Sequence, residues 1–378
     1  MTNLIKKKIV ISAVNLTEGG GREVLLSVLR AISLDRRFRA IAIVNNKSKT
    51  DLIRSTNIKY LQVPKTKKSW VNRLFFEYVF SMPISKRLNA DIWLSLHDIT
   101  PNVVTNKRYV YCHNIAPFYN FNFSDVKLDF KFSLFVLFYK WIYRININNN
   151  NAVFVQQSWI ADKFVDFFNF NNCIVALPEE DKKLIEMQNP IINKKNINSE
   201  VVFFYPTLPR TYKNLEIIFE SVNLLNKKNI KGYKVIITVK QGENKYIDYL
   251  INKYGKPNEI DLCGRLKKSQ MNEYYNKCDF LLFPSKLETW GLPIREAISY
   301  NLPLLLADHQ YSRSTSYGYD KVCFFNMSSA RELSMIMSNV ISKNDSEVFK
   351  NNSIVPDCQK KYKELASWKK LLDYVFAN

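Results

Sequence analysis

Short apolar runs along the chain alternate with stretches in which apolar residues recur every three or four positions, which predicts β-strands alternating with amphipathic helices. In the first half the strand candidates are Ile9–Val14, Ala40–Val44, Asp91–Leu96, Arg108–Cys112 and Ala152–Val155. Val24, Leu25, Val28, Leu29 and Ile32 recur at helical spacing between the first two, so Ile9 to Val44 reads as one βαβ unit. The pattern restarts at Val201–Tyr205 and continues through Lys234–Val239, Glu259–Cys263, Asp279–Phe283, Pro303–Ala307 and Val322–Phe325. Ser269 is expected to cap one of the intervening helices. Pro293 suits the first turn of another, with Asn301 just past its end, and Ser329 with Glu332 has the form of a capping box for a third.

Strand and helix alternating in this way predict parallel sheets covered by helices, and 378 residues suit two such cores better than one. The stretch from Ala176 to Glu200 is rich in lysine and asparagine and is broken by Pro178 and Pro190. It divides the expectation into a first domain at 1–176, a linker at 177–200 and a second domain at 201–355. A last amphipathic helix, roughly Gln359 to Phe376 within 356–378, is expected to pack back on the first domain.

Composition narrows the class. Apolar residues at 47% and charged residues at 24% are globular values. The longest uncharged apolar stretch, Phe132 to Tyr139, is less than half of a membrane span, and Met1 to Leu16 reads as a first strand because it lacks a small-residue cleavage site. The six scattered cysteines read as buried free thiols, with neither disulfide nor zinc spacing. A formal charge of +21 calls for an anionic partner, whether nucleic acid, an anionic leaflet or a phosphorylated small molecule.

Several strand ends carry candidate chemistry. Thr17-Glu18-Gly19-Gly20-Gly21-Arg22 joins a strand to a helix, where glycines admit a ligand close to the backbone and free N–H groups attract anionic oxygens; a tight turn alone is the plainer reading. The dinucleotide fingerprint and the P-loop are both missing from it. In Pro284-Ser285-Lys286-Leu287-Glu288-Thr289-Trp290-Gly291-Leu292-Pro293-Ile294-Arg295-Glu296-Ala297, two glutamates eight positions apart flank a Gly and a Pro at a helix entrance. Glu296 is expected in the first helical turn, favoured there by the macrodipole and able to accept hydrogen bonds from ligand hydroxyls.

This segment resembles the E-x7-E motif of the retaining family 4 glycosyltransferases, whose usual form is P-S-x-x-E-G-x-G-L-P-x-x-E-A; Thr289 stands where glycine is usual, and Arg295 precedes the second glutamate. The resemblance implies a GT-B fold, two facing Rossmann-like domains with parallel sheets and an interdomain cleft. It implies a sugar-side role for Glu288 and a ribose-binding role for Glu296, with Gly19, Gly20, Gly291 and Leu292 on the donor side. Lys213-Asn214 resembles the family's K-N or K-G element, whose lysine meets the donor diphosphate; the chemistry fits, because a departing nucleoside diphosphate builds negative charge. Leu208 occupies the position of the usual partner arginine, so Arg210 is the first substitute and Arg265 the second. His113 in Tyr111-Cys112-His113-Asn114 resembles the family's H-D or H-N element, whose histidine reaches towards the donor sugar. His97-Asp98 is a weaker candidate at another strand end.

A basic and aromatic stretch from Pro64 to Ala90 sets Lys65, Lys67, Lys68, Arg73, Lys86 and Arg87 against a single acid, Glu77, with Trp70, Phe75, Phe76, Tyr78 and Phe80 between them. Phe130 to Tyr143 forms a second such cluster with Lys127, Lys131, Lys140 and Arg144. These suit an anionic membrane surface, or else helices packed with a solvated basic face.

The expectation is a cytoplasmic enzyme that moves a sugar from a nucleotide-diphosphate donor; the resemblance, to bacterial polysaccharide assembly enzymes in particular, implies a lipid-linked oligosaccharide acceptor and a peripheral position on the inner face of the cytoplasmic membrane. No cofactor and no metal are expected: the resemblance implies a GT-B enzyme, a class that in general needs no divalent metal for the diphosphate, and the absence of D-x-D agrees with this. A nucleotide-sugar epimerase of the same fold is the nearest rival. A glycoside hydrolase is disfavoured because eight helical residues span about 12 Å, beyond the usual carboxylate separation. A basic nucleic-acid-binding protein is the rival from another class, but no recognition motif supports a nucleic-acid partner.

Overall fold

The computed structural model describes residues 6–45, 52–64, 66, 69–119, 123–176, 200–344, 348–349 and 361–378. The chain divides into two compact units. Met1–Phe118, Phe135–Glu179 and Gln359–Asn378 form the first, and Tyr119–Leu134 with Glu180–Cys358 the second, so Tyr119–Leu134 falls with the second unit although the sequence places it in the first half. The expected linker at 177–200 lies outside the described residues except for Glu200.

The first unit is built on eight strands: β1 (Lys7–Ala13), β2 (Phe38–Val44), β3 (Ile58–Gln62), β4 (Ile92–Ser95), β5 (Lys107–Cys112), β6 (Ala152–Val155), β7 (Cys173–Ala176) and β14 (Glu364–Leu365). They pair in the order β14-β7-β6-β5-β4-β1-β2-β3, every pair parallel. Central strands such as β4 and β6 are buried along their whole length, which is why they read as unbroken apolar runs. The helix Gly19–Leu34 connects β1 to β2 and buries Leu25, Val28, Leu29 and Ile32 against the sheet, as its spacing demands.

Three strands escape the pattern. β3 is an edge strand with only Ile58 fully buried, β7 is four residues long, and β14 is a two-residue bridge to β7. β14 also shortens the final helix, which runs Trp368–Ala377 where Gln359–Phe376 was expected; Ser367 caps it by accepting from the Lys370 N–H at 3.3 Å. Trp368, Leu371, Leu372 and Val375 are buried in the first unit's core, and Trp368 packs on Tyr111.

The second unit holds β8 (Val201–Tyr205), β9 (Tyr233–Ile237), β10 (Ile260–Leu262), β11 (Phe280–Phe283), β12 (Leu304–Ala307) and β13 (Val322–Phe325), paired β10-β9-β8-β11-β12-β13 and again all parallel. In both units the strand order, counted along the chain, begins 3-2-1-4-5-6, the doubly wound Rossmann order.

Helix boundaries follow local chemistry with one exception. Pro293 sits in the first turn of Leu292–Ser299, Asn301 takes a left-handed φ of 58° just beyond it, and Ser329 accepts from the Glu332 N–H. Ser269, expected as a cap, lies inside helix Lys268–Lys277, which begins after Lys267 with the Lys267 N–H bound to Gln270 Oε1. Cys112, Cys173, Cys278 and Cys323 are buried free thiols and Cys263 is partly buried. Cys358 lies outside the described residues. No helix among the described residues is long and apolar enough to cross a membrane.

Candidate active site

In the second unit β8 and β11 lie side by side, while the strands that follow each of them lie on opposite sides of the pair. The chain therefore leaves their carboxyl ends in opposite directions and opens a crevice, the usual ligand position in such sheets. The two loops that flank it are bound to each other. Lys286 N–H donates to Tyr212 O at 2.8 Å, and the Tyr205 hydroxyl reaches Lys213 O at 2.8 Å. Asn214, held at a left-handed φ of 57° that asparagine tolerates, donates its side-chain amide to Pro284 O at 3.1 Å and Met327 O at 2.8 Å. One buried asparagine thus joins three loops.

On this frame the Lys213 ammonium donates to the Glu288 carboxylate, with only 14% and 15% of the two side chains exposed. The ammonium also lies 5.4 Å from the Tyr212 ring centroid. The sequence motif after β8 and the motif after β11, 75 residues apart, meet as one ion pair.

Glu296 is the fifth residue of its helix, past the first turn where it was expected, so the helix N-terminus does little to hold its charge. Its carboxylate accepts from the Tyr275 hydroxyl at 2.7 Å. Burial raises its pKa, while the Tyr275 hydrogen bond and Lys268 oppose the rise. Tyr275 itself is pushed well up by burial and remains a donor. Gly291 caps the helix start at φ 67°, and a Cβ there would lie 3.0 Å from Ile294 Cδ1, so a larger residue is strained at this position; Leu292 beside it is half exposed.

The two arginine candidates have partners of their own. Arg210 binds Asp129 at 2.8 Å, and Arg265, 75% exposed, lies 3.6 Å from Glu243.

In the first unit the same geometry recurs between β1 and β4. Helix Gly19–Leu34 starts after Glu18 in extended conformation. A Cβ on Gly20 would meet nothing within 4 Å, but one on Gly21 would lie 3.0 Å from Leu16 Cδ2 and 4.0 Å from His113 Nε2. Gly21 is therefore the glycine whose smallness keeps the helix start clear of Leu16, with His113 Nε2 at ordinary contact distance from that position. His113 directly follows β5, and its N–H and that of Asn114 donate to Asp98 Oδ1.

His97, by contrast, is buried, with Nε2 3.0 Å from Ser12 Oγ and 3.2 Å from Glu77 Oε1. Burial and the nearby Arg73 push its pKa well down, so it stays neutral. It is a structural histidine, and its place as a weaker site candidate is corrected.

The basic aromatic stretch also divides. Trp70 and Phe75 are 43% and 50% exposed, as a surface role requires, but Phe76 is buried at 1%. Arg73 turns inward and donates to His97 O at 2.7 Å and to the Tyr139 hydroxyl. Arg73 and Phe76 are therefore not surface contacts: Phe76 fills a core cluster with Trp93, and the Arg73 guanidinium is held by groups inside the fold. Glu77, the stretch's single acid, is fully buried. Lys65, Lys67 and Lys68 lie outside the described residues. In their place the structure exposes Val71, Val79 and Phe80, together with Leu137, Phe138, Trp141 and Ile145, whose spacing puts them on one stripe. Trp70 contacts Phe135 and Tyr139, which brings the two aromatic helices side by side.

Tyr275, Asn214 and Gly21 were not singled out from the sequence. Asn214 and Gly21 left a signal there, as the asparagine directly after the motif lysine and the third glycine of the strand-to-helix turn, whereas Tyr275 left none.

Comparison with known proteins agrees with this geometry. Residues 187–350, which carry the crevice of the second unit, match the family model of glycosyl transferases group 1. No curated protein matches the chain. Among solved structures, the chain is similar to WaaG, a glycosyltransferase involved in lipopolysaccharide biosynthesis, at 12% identity and a TM-score of 0.64 over 98% of this chain and 100% of that one. It is similar to the lipopolysaccharide outer core galactosyltransferase WaaB at 13% and 0.62, covering 98% and 99%. Sucrose-phosphate synthase from Thermosynechococcus elongatus follows at 10% and 0.64, covering 91% and 95%. At these identities the likeness establishes the fold, and the two parallel-sheet α/β units are those of GT-B.

Proposed function

We propose that the protein is a retaining glycosyltransferase that moves a sugar from a nucleotide-diphosphate donor to a hydroxyl of a lipid-linked glycan during surface polysaccharide assembly, at the inner face of the cytoplasmic membrane. The observation that carries this reading is the Lys213–Glu288 pair at the crevice between β8 and β11, inside the segment that matches the glycosyl transferases group 1 model.

The residues present suit the chemistry. Lys213 places a fixed cation where the departing diphosphate builds charge, and a preorganised cation there lowers the barrier without reorganisation. Glu288 keeps that ammonium directed when no donor is bound and stands ready to accept from sugar hydroxyls when the diphosphate takes the lysine. Glu296, shielded from water and aligned by Tyr275, is placed to accept from a ribose diol, the contact that distinguishes a nucleotide from a free phosphate. His113 is the candidate of the first unit for the sugar. The donor phosphate takes the acceptor proton, so no metal or cofactor enters the scheme.

The lipid-linked acceptor is supported by the names of WaaG and WaaB and by the first unit's exposed aromatic stripe, flanked by the exposed Lys86, Arg87 and Arg144. Such a surface suits an anionic leaflet.

A panel of UDP-, GDP- and dTDP-sugars, screened by thermal shift and followed by turnover with glycan acceptors, tests the reading. One donor class should raise the melting temperature. Glu296→Ala should weaken that donor by about 10- to 100-fold, the worth of lost hydrogen bonds to a charged acceptor. Lys213→Ala should lower kcat by about 100- to 1,000-fold with a smaller effect on binding. Normal activity in both variants would defeat the assignment, and conversion of the donor without any acceptor would point to an epimerase.

A further inference from the structure

The mechanism above uses His113 but leaves unexplained a strained residue that touches it. Asp98, in the loop after β4, has φ 75°, a left-handed conformation that a non-glycine residue adopts at a cost of about 1–2 kcal/mol. It is also buried, a setting in which a carboxylate needs partners. Its Oδ1 accepts two backbone hydrogen bonds, from His113 N–H at 2.8 Å and Asn114 N–H at 2.9 Å. The strand pair β4–β5 ends here, with Ser95 opposite Val110, so the two loops leave the sheet side by side.

We infer that Asp98 is a positioning residue for His113: its left-handed turn aims one carboxylate at the first two amides beyond β5 and fixes the peptide from which the His113 ring projects. The neighbouring bonds leave the turn few alternatives. On one side, the Asp98 N–H is tied to Tyr111 O at 3.3 Å, and the preceding carbonyl, that of His97, is held by Arg73. On the other, Asn114 O accepts from the Tyr143 hydroxyl at 2.7 Å, and Asn114 Oδ1 accepts from the Ala116 N–H at 3.0 Å. The Asn114 carbonyl and side chain thus have other partners, whereas the amides of residues 113 and 114 are served by Asp98. Hydrogen bonds to an ionised acceptor are about twice as strong as neutral ones, enough to offset the left-handed strain. On the Nε2 side of the ring stands the helix start at Gly21: a Cβ there would lie 4.0 Å from His113 Nε2, an ordinary contact distance.

The test separates the backbone conformation from the carboxylate. Asp98→Gly accepts φ 75° freely but removes the acceptor, and Asp98→Asn keeps both the left-handed tolerance and an acceptor oxygen. With ring-labelled histidine, the chain gives three signals, and His309 in the second unit serves as reference. Asp98→Gly should move the His113 signal and leave that of His309 in place. It should lower kcat by about 10- to 100-fold with the donor KM within about twofold, and Asp98→Asn should restore kcat to within about threefold of the wild type. Combined with His113→Ala, Asp98→Gly should add no further loss, because residues acting through one another are not additive.

An unmoved His113 signal, or losses that multiply in the double variant, would overturn the inference. In the wild-type protein the amides of His113 and Asn114 should be protected from hydrogen exchange, and rapid exchange at both would overturn it without any variant. Only the activity arm rests on the glycosyltransferase reading: an active His113→Ala protein would remove His113 from the chemistry, while the ring signal and the exchange rates would still decide what Asp98 does.

Discussion

Replacing Glu77 by glutamine should make the protein's stability less sensitive to rising pH, and the size of the effect follows from where this side chain lies. Glu77 sits on the π-helical turn Phe76–Phe80, fully shielded from solvent. Burial pushes its pKa from 4.5 up to about 8, against a partial opposing pull from the Arg73 guanidinium. The folded protein therefore keeps a proton that the unfolded chain has released, so the group withdraws stability as pH rises from 4.5 to 8. One pKa unit corresponds to about 1.4 kcal/mol, so the wild type loses about 2 kcal/mol through Glu77 between pH 6 and pH 8. His97 acts in the opposite sense: its lowered pKa withdraws stability in acid and restores it as pH rises through the ordinary histidine range; because the Glu77 beside it is protonated below about pH 8, its neighbour is neutral in both proteins over most of the interval and this contribution is shared. Glutamine keeps the shape of a protonated glutamate and is neutral throughout. Urea unfolding at pH 6, 7 and 8, at matched ionic strength, should show the difference between variant and wild type moving in the variant's favour by about 2 kcal/mol over that interval. A difference that stays flat would refute burial-driven protonation, and one that moves the other way would mean that Arg73 holds Glu77 ionised in the fold.

Two further outcomes follow from single positions. Gly291→Ala places a Cβ 3.0 Å from Ile294 Cδ1 at φ 67°, and it should cost about 1–2 kcal/mol in urea unfolding; an unchanged midpoint would show that the helix entrance does not need its left-handed residue. A Leu137→Ser/Trp141→Ser double variant should bind vesicles containing phosphatidylglycerol about tenfold or more weakly than the wild type, the worth of removing two large apolar anchors. Equal co-sedimentation of the two proteins would remove this stripe from membrane contact.

The strands, their parallel arrangement and the motif loops were legible because each depends on neighbours in sequence. β6, β8 and β13 are continuous apolar runs bounded by polar residues, and their ends match expectation to the residue. The edges were not legible: β3 keeps one face wet, and β14 is paired by only two residues, so neither leaves a periodic signal. Capping failed in the same way at Ser269, because a cap depends on where the chain enters the helix and not on which residue is available.

At the site, the sequence alone determined the residue types and the strand ends that bear them: lysine after β8, two glutamates after β11, histidine after β5. Charge and hydropathy did not determine orientation. The stretch around Trp70 reads as one basic aromatic face, yet the structure turns Arg73 and Glu77 inward to His97 and leaves Trp70 and Phe75 outside. Only the tertiary structure decided that Lys213 meets Glu288, that Glu296 pairs with Tyr275, and that Asp98 holds the His113 turn. The reason is physical: a strand or helix arises from local periodicity, whereas an ion pair or a buried carboxylate depends on which strands the sheet places side by side, and strand order is set by contacts between residues far apart in the chain.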